Sequence, residues 1–471
     1  MTELASTPQH ALAPSEQHDV VIIGAGPAGL AAAVECARHG QKVLLLDEQA
    51  EMGGQIYRAV QRVDQERKKI LGEDYMKGAA LAAAAQHELI TYLPSSVVWQ
   101  VTREKEVSFK RNGASQTIAA EHIILATGAL ERPFPVPGWT LPGVLSAGGA
   151  QVLLKGSGVV PAGDVVLAGC GPLLYLLAYQ YISANVPIKA IVDTSGAGDV
   201  KQALPHLFSA FKGFSYIRKG LKMVSAIKKA GIPFYKSSTG IKINGEKQVE
   251  SIEFMSAGSA HKIDTDLVLL HQGVMPNTQI SWSLRAEHTW DTTQHAWLPV
   301  LNAEKELDVA NIFIPGDGAN IGGAEVAALE GRAVGLTVCH RLKLLEKATY
   351  TSQYADIKAQ IDKHSAIRSF INVLYEPKKE NRIPVGSTIV CRCEGVTAAD
   401  IVGYVEHGCV GPNQAKSFGR CGMGPCQGRE CGTTVTDIIA DQLQTSALAV
   451  GYYRIRPPIK PITLAELANN G

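Results

Sequence analysis

Apolar positions come in short β-branched runs, each closed by a glycine-rich turn and followed by an alanine- or leucine-rich stretch. That alternation of strand, turn and helix builds a parallel sheet with helices on its faces. Asp19-Val-Val-Ile-Ile23 is the first such run, and it ends at Gly24-Ala-Gly26-Pro27-Ala28-Gly29. A helix-forming stretch from Leu30 to His39 follows, Gly40 closes it, and a second strand from Lys42 to Leu46 ends at Asp47. This is a complete βαβ unit with a dinucleotide fingerprint. Gly24 permits the tight turn, Gly26 lets the backbone approach a pyrophosphate, and Gly29 lets helix and strand pack closely. The free N–H groups of the helix start then face the phosphates, and Asp47 is placed for a ribose 2′-OH.

The same pattern returns later. Asp164-Val-Val-Leu-Ala168 leads into Gly169-Cys-Gly171-Pro-Leu-Leu174, an apolar helix, and a strand from Lys189 to Val192 ending at Asp193. Here Leu174 stands where the third glycine belongs. It should push the helix away from the strand or shift its start, weakening a phosphate site. Both NAD(P)H binding and an idle, retained fold remain open for this unit. Two further buried strands end in small-residue turns, His122 to Ala126-Thr127-Gly128 and Asn311 to Gly316-Asp317-Gly318.

The chain has nine cysteines. Cys36, Cys170 and Cys339 lie in apolar patterns, where a free thiol acts as a small hydrophobe. The other six (Cys391, Cys393, Cys409, Cys421, Cys426 and Cys431) crowd into 41 residues beyond a polar break at 377–384. In a large chain without a secretory signal, such a cluster points to metal rather than disulfides. Cys391-Arg-Cys393 and Cys421-Gly-Met-Gly-Pro-Cys426 offer four thiolates, enough for zinc or for an iron–sulfur cluster. Cys409 and Cys431 are left over as buried thiols.

Composition narrows the function classes. With 45 Lys+Arg against 44 Asp+Glu, the net charge is +1, which argues against a phosphate-tracking nucleic-acid binder. The hydrophobic share of 46% against 19% charged suits a globular chain with a large core. The first 18 residues read as a disordered tail, and the most apolar stretch, 159–192, is broken by Pro161, Gly163, Asp164, Gly169, Gly171 and Pro187. A span needs about 20 unbroken apolar residues, so a cytoplasmic protein is expected, with membrane contact at most peripheral on the inner face. A basic helix-like stretch, 215–230, reads as a solvated face or as a docking surface.

The order of Gly24-to-Gly29, Gly53-Gly54, Ala-Thr-Gly and Gly-Asp resembles the two-dinucleotide-binding-domain flavoproteins. The resemblance implies FAD in the first site, with Gly24, Gly26, Pro27, Ala28, Gly29, Asp47, Gly54, Ala126, Thr127, Gly128 and Gly316 around it. Asp317 would lie on the ribityl chain and Gln55 near the flavin ring. No redox cysteine pair accompanies Gly53-Gly-Gln-Ile-Tyr57, and Cys170 stands alone, so thiol–disulfide exchange is not implied. The Cys-x-Cys-Glu start and Gly-rich Cys-x4-Cys resemble bacterioferritin-associated ferredoxin-like 2Fe–2S domains, which implies Cys391, Cys393, Cys421 and Cys426 as ligands.

Trp139-Thr-Leu-Pro-Gly143-Val, the two cysteine stretches and Arg456-Pro-Pro-Ile-Lys-Pro461 together resemble α-type subunits of heteromeric bacterial amino-acid dehydrogenases, the opine oxidase A, hydrogen cyanide synthase B and D-hydroxyproline dehydrogenase α group. The fold implied is α/β: two nested Rossmann-like dinucleotide-binding domains, glutathione-reductase-like, with a small helical Cys-rich module. An FAD domain would cover 19–138 and 295–340, and an inserted NAD(P)-type domain 139–294. A helical linker would run over 341–385, a 2Fe–2S domain over 386–445, and an extension over 446–471. The implied role is electron transfer from a substrate-oxidising FAD β subunit toward a quinone or other acceptor, with no catalytic side chain of its own. An FMN at the subunit interface and a small third subunit belong to the same resemblance, and the first site of related subunits can also take another adenine nucleotide. The alternative is a self-sufficient NAD(P)H-dependent flavoprotein reductase that feeds its own cluster.

Overall fold

The computed structural model describes residues 17–469 except 211–212. Most of the tail expected over 1–18 thus lies outside the described residues, but positions 17 and 18 are already strand. Strand β1 (Gln17–Ile23) starts that early because the long β6 (Ala114–Leu125) offers Ala119 and Ala120 as partners for Gln17 and His18.

The first sheet runs β3-β2-β1-β6-β5-β4, with β2 at Val43–Leu46, β3 at Ile90–Leu93, β4 at Val97–Val101 and β5 at Glu106–Arg111. β3, β2, β1 and the far half of β6 are parallel, and Ile312–Phe313 adds to that half. The near half of β6 pairs antiparallel with β5. Val20 to Ile23 and Val43 to Leu46 are buried on both faces, as a covered parallel sheet requires.

From β7 (Ala129–Glu131) the chain enters a second sheet. Its members are β8 (Val144–Ser146), β9 (Val165–Cys170), β10 (Ile188–Asp193) and β11 (Phe234–Tyr235). A three-stranded antiparallel sheet of β12 (Thr239–Asn244), β13 (Ser251–Ser256) and β14 (Ser259–Asp264) covers it, and β15 (Leu267–Gln272) inserts between β9 and β8. The chain returns on β16 (Val274–Pro276), antiparallel to β7. The inserted sheet therefore closes near Pro276. Residues 277–294, expected inside that domain, pack elsewhere: Ile280 and Leu284 share a core with Val21, Leu46 and Ile123.

Helix α1 (Pro27–Arg38) lies against the long helix Ala324–Arg341 in close backbone contact. Added carbon at Gly331 would stand 2.1 Å from the Ala28 carbonyl oxygen, and at Gly335 2.9 Å from Glu35 Cβ. The linker forms helices Lys347–Ser365 and Arg368–Leu374. The cysteine module follows with a short ribbon of Ile389–Cys391 and Val396–Thr397 and three helices, Ala398–Glu406, Pro412–Gly419 and Gly432–Gln442. Its first helix starts at a capping box, Thr397 Oγ1 accepting from Asp400 N while the Asp400 carboxylate accepts from Thr397 N. The stretch expected as an extension is integral to the module, because Tyr453, Ile455 and Ile459 are buried in its core.

The basic stretch forms helix Phe214–Lys229, and its Lys219 pairs with Asp74 of the first domain at 2.6 Å. No helix among the described residues is long and apolar enough to cross a membrane. Gly331→Ala should cost about 1–3 kcal/mol through overpacking at Ala28. A lower melting temperature is the expected result, and an unchanged melting temperature would refute it.

Candidate functional site

The structure brings the residues of the first fingerprint to one place. Gly29 sits so close to the loop that a Cβ would lie 1.8 Å from Gly24 O, so no larger residue fits. Gly24 abuts the Ala126 carbonyl, Gly54 lies over Gly26, and Gly316 wedges between Ala28 and Ala327. Asp47 is buried, and its carboxylate accepts from Ala25 N and, at 2.6 Å, from Gln49 N. Burial raises its pKa, and the two amides oppose that. Asp317 Oδ1 accepts from Gly322 N at 2.8 Å and Gly323 N at 2.9 Å, so the Gly316–Asp317 turn is braced against the start of the long helix.

Thr127 and Gly128 lie where the domains join. Thr127 Oγ1 donates to Asn277 O at 3.3 Å, and Asn277 N donates to Gly128 O at 3.0 Å. Gln55 is exposed on the other side of the groove, its Oε1 accepting from Arg58 Nη2. A cradle with no side chain at Gly24, Gly26, Gly29, Gly54 and Gly316, opening at a helix N-terminus, fits a dinucleotide pyrophosphate.

Sequence reasoning missed two groups beside this groove. Lys155 is buried on helix Ala147–Ser157, and Nζ donates to Gln151 Oε1 at 2.7 Å and Gln55 O at 3.3 Å. Burial, then the nearby Arg58 charge, lowers its pKa to about 7. Glu131 accepts from Gly148 N at 2.8 Å and pairs with His271 Nδ1 at 2.6 Å. Neither lysine nor dyad belongs to a local motif, so no sequence signal marks them.

The second fingerprint is built but engaged by the chain itself. Helix Pro172–Ser183 starts immediately after Gly171, so Leu174 does not shift the helix start, and it is fully buried in the core. The His271 ring lies against Gly171. Asp193, at the ribose position, accepts from Tyr175 OH at 2.7 Å and from Ser195 N and Oγ at 2.8 Å. Tyr375 of the linker packs on Tyr175 with ring centroids 5.8 Å apart, and its carbonyl accepts from the Cys170 thiol at 3.8 Å. Lys378 pairs with Asp199 close by.

In the C-terminal module, Cys391, Cys421 and Cys431 are buried with their sulfurs within 4.8 Å of one another. Cys393 is exposed and stands beside Cys426, whose thiol pKa burial and then the Cys393 thiol raise. The four expected ligands are thus split between two neighbouring groups, and Cys431, left over in the sequence, belongs to the first. Its signal was present: Cys426 and Cys431 repeat the four-residue gap of Cys421 and Cys426. Cys409 stays outside, donating to Gly411 O at 3.3 Å. Bonds from the Cys421 and Cys431 thiols hold Cys391 far below the ordinary thiol range, while Cys431 is pushed up. Three buried cysteine sulfurs gathered this closely without a disulfide form a donor set that fits a metal centre.

Gly424 leaves room for Cys393, whose Cβ would stand 2.3 Å from a Cβ there. Tyr453 OH lies 3.7 Å from Cys431 Sγ. The module docks on the junction strands, with Gln279 Nε2 donating to Gln427 O at 2.8 Å and Trp139 Nε1 to Ile389 O at 2.7 Å.

Comparison with known proteins agrees with this architecture. Residues 18–331 match the family described as pyridine nucleotide-disulphide oxidoreductase, and residues 385–470 match the sarcosine oxidase A3 domain. The A-type subunit of opine oxidase from Agrobacterium tumefaciens (strain Ach5) is 41% identical over 97% of this chain and 92% of that protein. Hydrogen cyanide synthase subunit HcnB of Pseudomonas protegens is 30% identical over 94% of this chain and 96% of its own length. L-proline dehydrogenase from P. horikoshii shares the fold with a TM-score of 0.70 at 18% identity, over 96% of this chain and 80% of that one. The chain therefore belongs to the pyridine nucleotide-disulphide oxidoreductase family of flavin-dependent enzymes, in the branch that holds HcnB and the A-type subunit of opine oxidase.

Proposed function

We propose that this chain is the electron-transferring flavin and iron–sulfur subunit of a heteromeric dehydrogenase acting on CH–NH or CH–NH2 donors such as amino acids, amines or opines. A substrate-oxidising FAD β subunit supplies the electrons, and an interface FMN and a small third subunit complete the assembly. The place of action is the cytoplasm, with at most peripheral contact at the inner face of the membrane. Relatives that cover 97% and 94% of the chain are named as subunits, one of opine oxidase and one of hydrogen cyanide synthase.

One observation carries the relay over the self-sufficient reductase: the linker's Tyr375 sits on Tyr175 and Cys170, and Asp193 is saturated from within the chain. A nicotinamide dinucleotide would have to displace the half-buried Tyr375 ring and break those bonds. Bound FAD accepts and passes on electrons singly or in pairs. The chain's own residues do the rest. The Gly24–Gly29 loop presents backbone N–H groups to the pyrophosphate, and the Gly322 and Gly323 amides hold the Asp317 carboxylate in one orientation. In the cysteine module the thiols of Cys391, Cys393, Cys421, Cys426 and Cys431 are the available ligands, and the buried Tyr453 keeps water from the inner three. Cys393 would be the exposed ligand of such a centre, whose iron would supply one-electron chemistry when bound.

Anaerobic NADH should leave the visible flavin absorbance of the purified chain unchanged, whereas substrate should bleach it in the assembled complex. Rapid bleaching by NADH alone would overturn the relay and favour the reductase. Iron content and the paramagnetic signal of the reduced protein test the metal set. Cys431→Ser should lose both as fully as Cys391→Ser, while Cys409→Ser keeps them. Zinc in place of iron in the unmodified protein would defeat the iron–sulfur assignment.

A further inference from the structure

Like charges gathered on a folded surface repel one another, and they mark a place where a partner's opposite charge belongs. Four cations meet at the seam between the cysteine module and the first nucleotide domain: Arg285, Lys416, Arg454 and Arg456. The fold holds them there. Segments 410–416 and 448–456 run side by side, with Asn413 Nδ2 donating to Tyr452 O at 3.1 Å while Asn413 Oδ1 accepts from Arg454 N at 2.7 Å. Lys416 Nζ donates to Arg454 O at 3.2 Å and lies 4.9 Å from the centre of the Tyr453 ring. Trp282 stacks on Tyr452 with ring centroids 5.2 Å apart, and Arg285 Nη1 donates to Trp282 O at 3.2 Å. Arg454 and Arg456 are exposed and alternate with the buried Tyr453 and Ile455. Burial and then Arg454 and Arg456 lower the pKa of Arg285, and burial and then Arg456 and Arg285 lower that of Lys416. No carboxylate offsets the repulsion at either group. Gly411 abuts the Val450 carbonyl, and Val410 and Leu448 are exposed next to it.

We propose that this seam is the docking face for an acidic protein that takes electrons from the cysteine module. The partner's role as acceptor rests on the relay reading. Three of the four cations are arginines, whose planar forks match surface carboxylates. They are spread over three segments and flanked by two apolar side chains, an area that a protein face covers and a single small anion does not. The chain as a whole carries a net charge of only +1, so attraction for an acidic partner is local to such a face. Faces that exchange electrons are small and short-lived, and charge rather than apolar area selects the partner. The position suits the role. Tyr453 lies under Lys416 and its hydroxyl stands 3.7 Å from Cys431 Sγ, so one aromatic ring bridges the docking face and the inner thiols. Each encounter passes one electron from the module to the partner's oxidised centre, with no bond made and no proton moved.

The test uses the full chain, titrated separately with poly-L-glutamate, inorganic pyrophosphate and phosphatidylglycerol vesicles. The chemically reduced chain is also mixed with cytochrome b5, an acidic haem protein, or with the basic cytochrome c. Poly-L-glutamate should bind at low salt, and Arg454→Gln/Arg456→Gln should weaken it by about tenfold or more. Lys222→Gln/Lys228→Gln, in the other basic stretch, should change it by less than about twofold. The arginine pair should also slow oxidation by cytochrome b5 by about tenfold without slowing oxidation by cytochrome c, and the difference should vanish near about 0.5 M salt. Arg285→Gln should act in the same direction, and it decides should the double variant fail to fold. Unchanged poly-L-glutamate binding in the arginine variants would overturn the proposal. So would tighter binding of pyrophosphate or of the vesicles through the same arginines, or loss of poly-L-glutamate binding once the chain is assembled with its co-purifying subunits. A reduced chain that passes electrons to neither haem protein would instead sink the relay reading, and the poly-L-glutamate titration would still decide the docking face.

Discussion

The backbone contact between helix α1 and the helix Ala324–Arg341 is the constraint on which the flavin site rests. It works by the absence of side chains. The Ala28 carbonyl lies under Gly331, Gly335 faces the Glu35 side chain and the Ala32 carbonyl, and Gly316 sits between two alanine methyls. Because the two helices cannot move apart without leaving a void, the pyrophosphate loop at the start of one is fixed relative to Asp317, just ahead of the other. Ligand-binding groups far apart in sequence thereby gain the fixed geometry that a local motif has for free.

A second constraint sets the relation of the two nucleotide domains. Ion pairs cross between them, such as Lys219 with Asp74, but both partners are about half exposed, and such pairs are worth about 0–1 kcal/mol. The linker segment has greater leverage. It buries Ile367 against Gly213, lays Tyr375 on Tyr175, and joins the hairpin through His295 and Glu376 at 2.8 Å. The linker thus packs its aliphatic and aromatic side chains on the inserted domain and reaches the hairpin beyond it through the His295–Glu376 pair. The second domain thus carries the linker on its Tyr175 and Gly213 surface.

What could be read in the sequence was what is local. The first fingerprint, Asp47, the Gly316–Asp317 turn and the paired cysteines each lie within a short window whose spacing carries its own physical reason. The contributions of Tyr375, His271 and Lys155 arise only when distant segments meet, and no periodicity announces them. Cys431 is an intermediate case. Its spacing from Cys426 was visible, yet the same spacing between Cys421 and Cys426 already completed a set of four. The return point at Pro276 was missed for a different reason. The apolar residues of 277–294 look equally at home in either domain, and only the antiparallel pairing of β16 with β7 shows where the chain crosses back.

The uneven burial of the five thiols has a consequence for any charge the module holds. Cys391, Cys421 and Cys431 are walled by Tyr453 and the core helices, Cys426 is partly covered, and Cys393 faces solvent. Burying charge without a partner is costly, so added electron density in such a cup is best tolerated at its Cys393 edge, where water can respond. The buried side faces the other way. Tyr452 stacks on Trp282 at 5.2 Å, and Thr433 reaches Met275, next to the strands that carry Thr127 and Gly128 into the domain junction. A redox centre here would therefore have a dry side toward the first nucleotide domain and a wet side toward solvent.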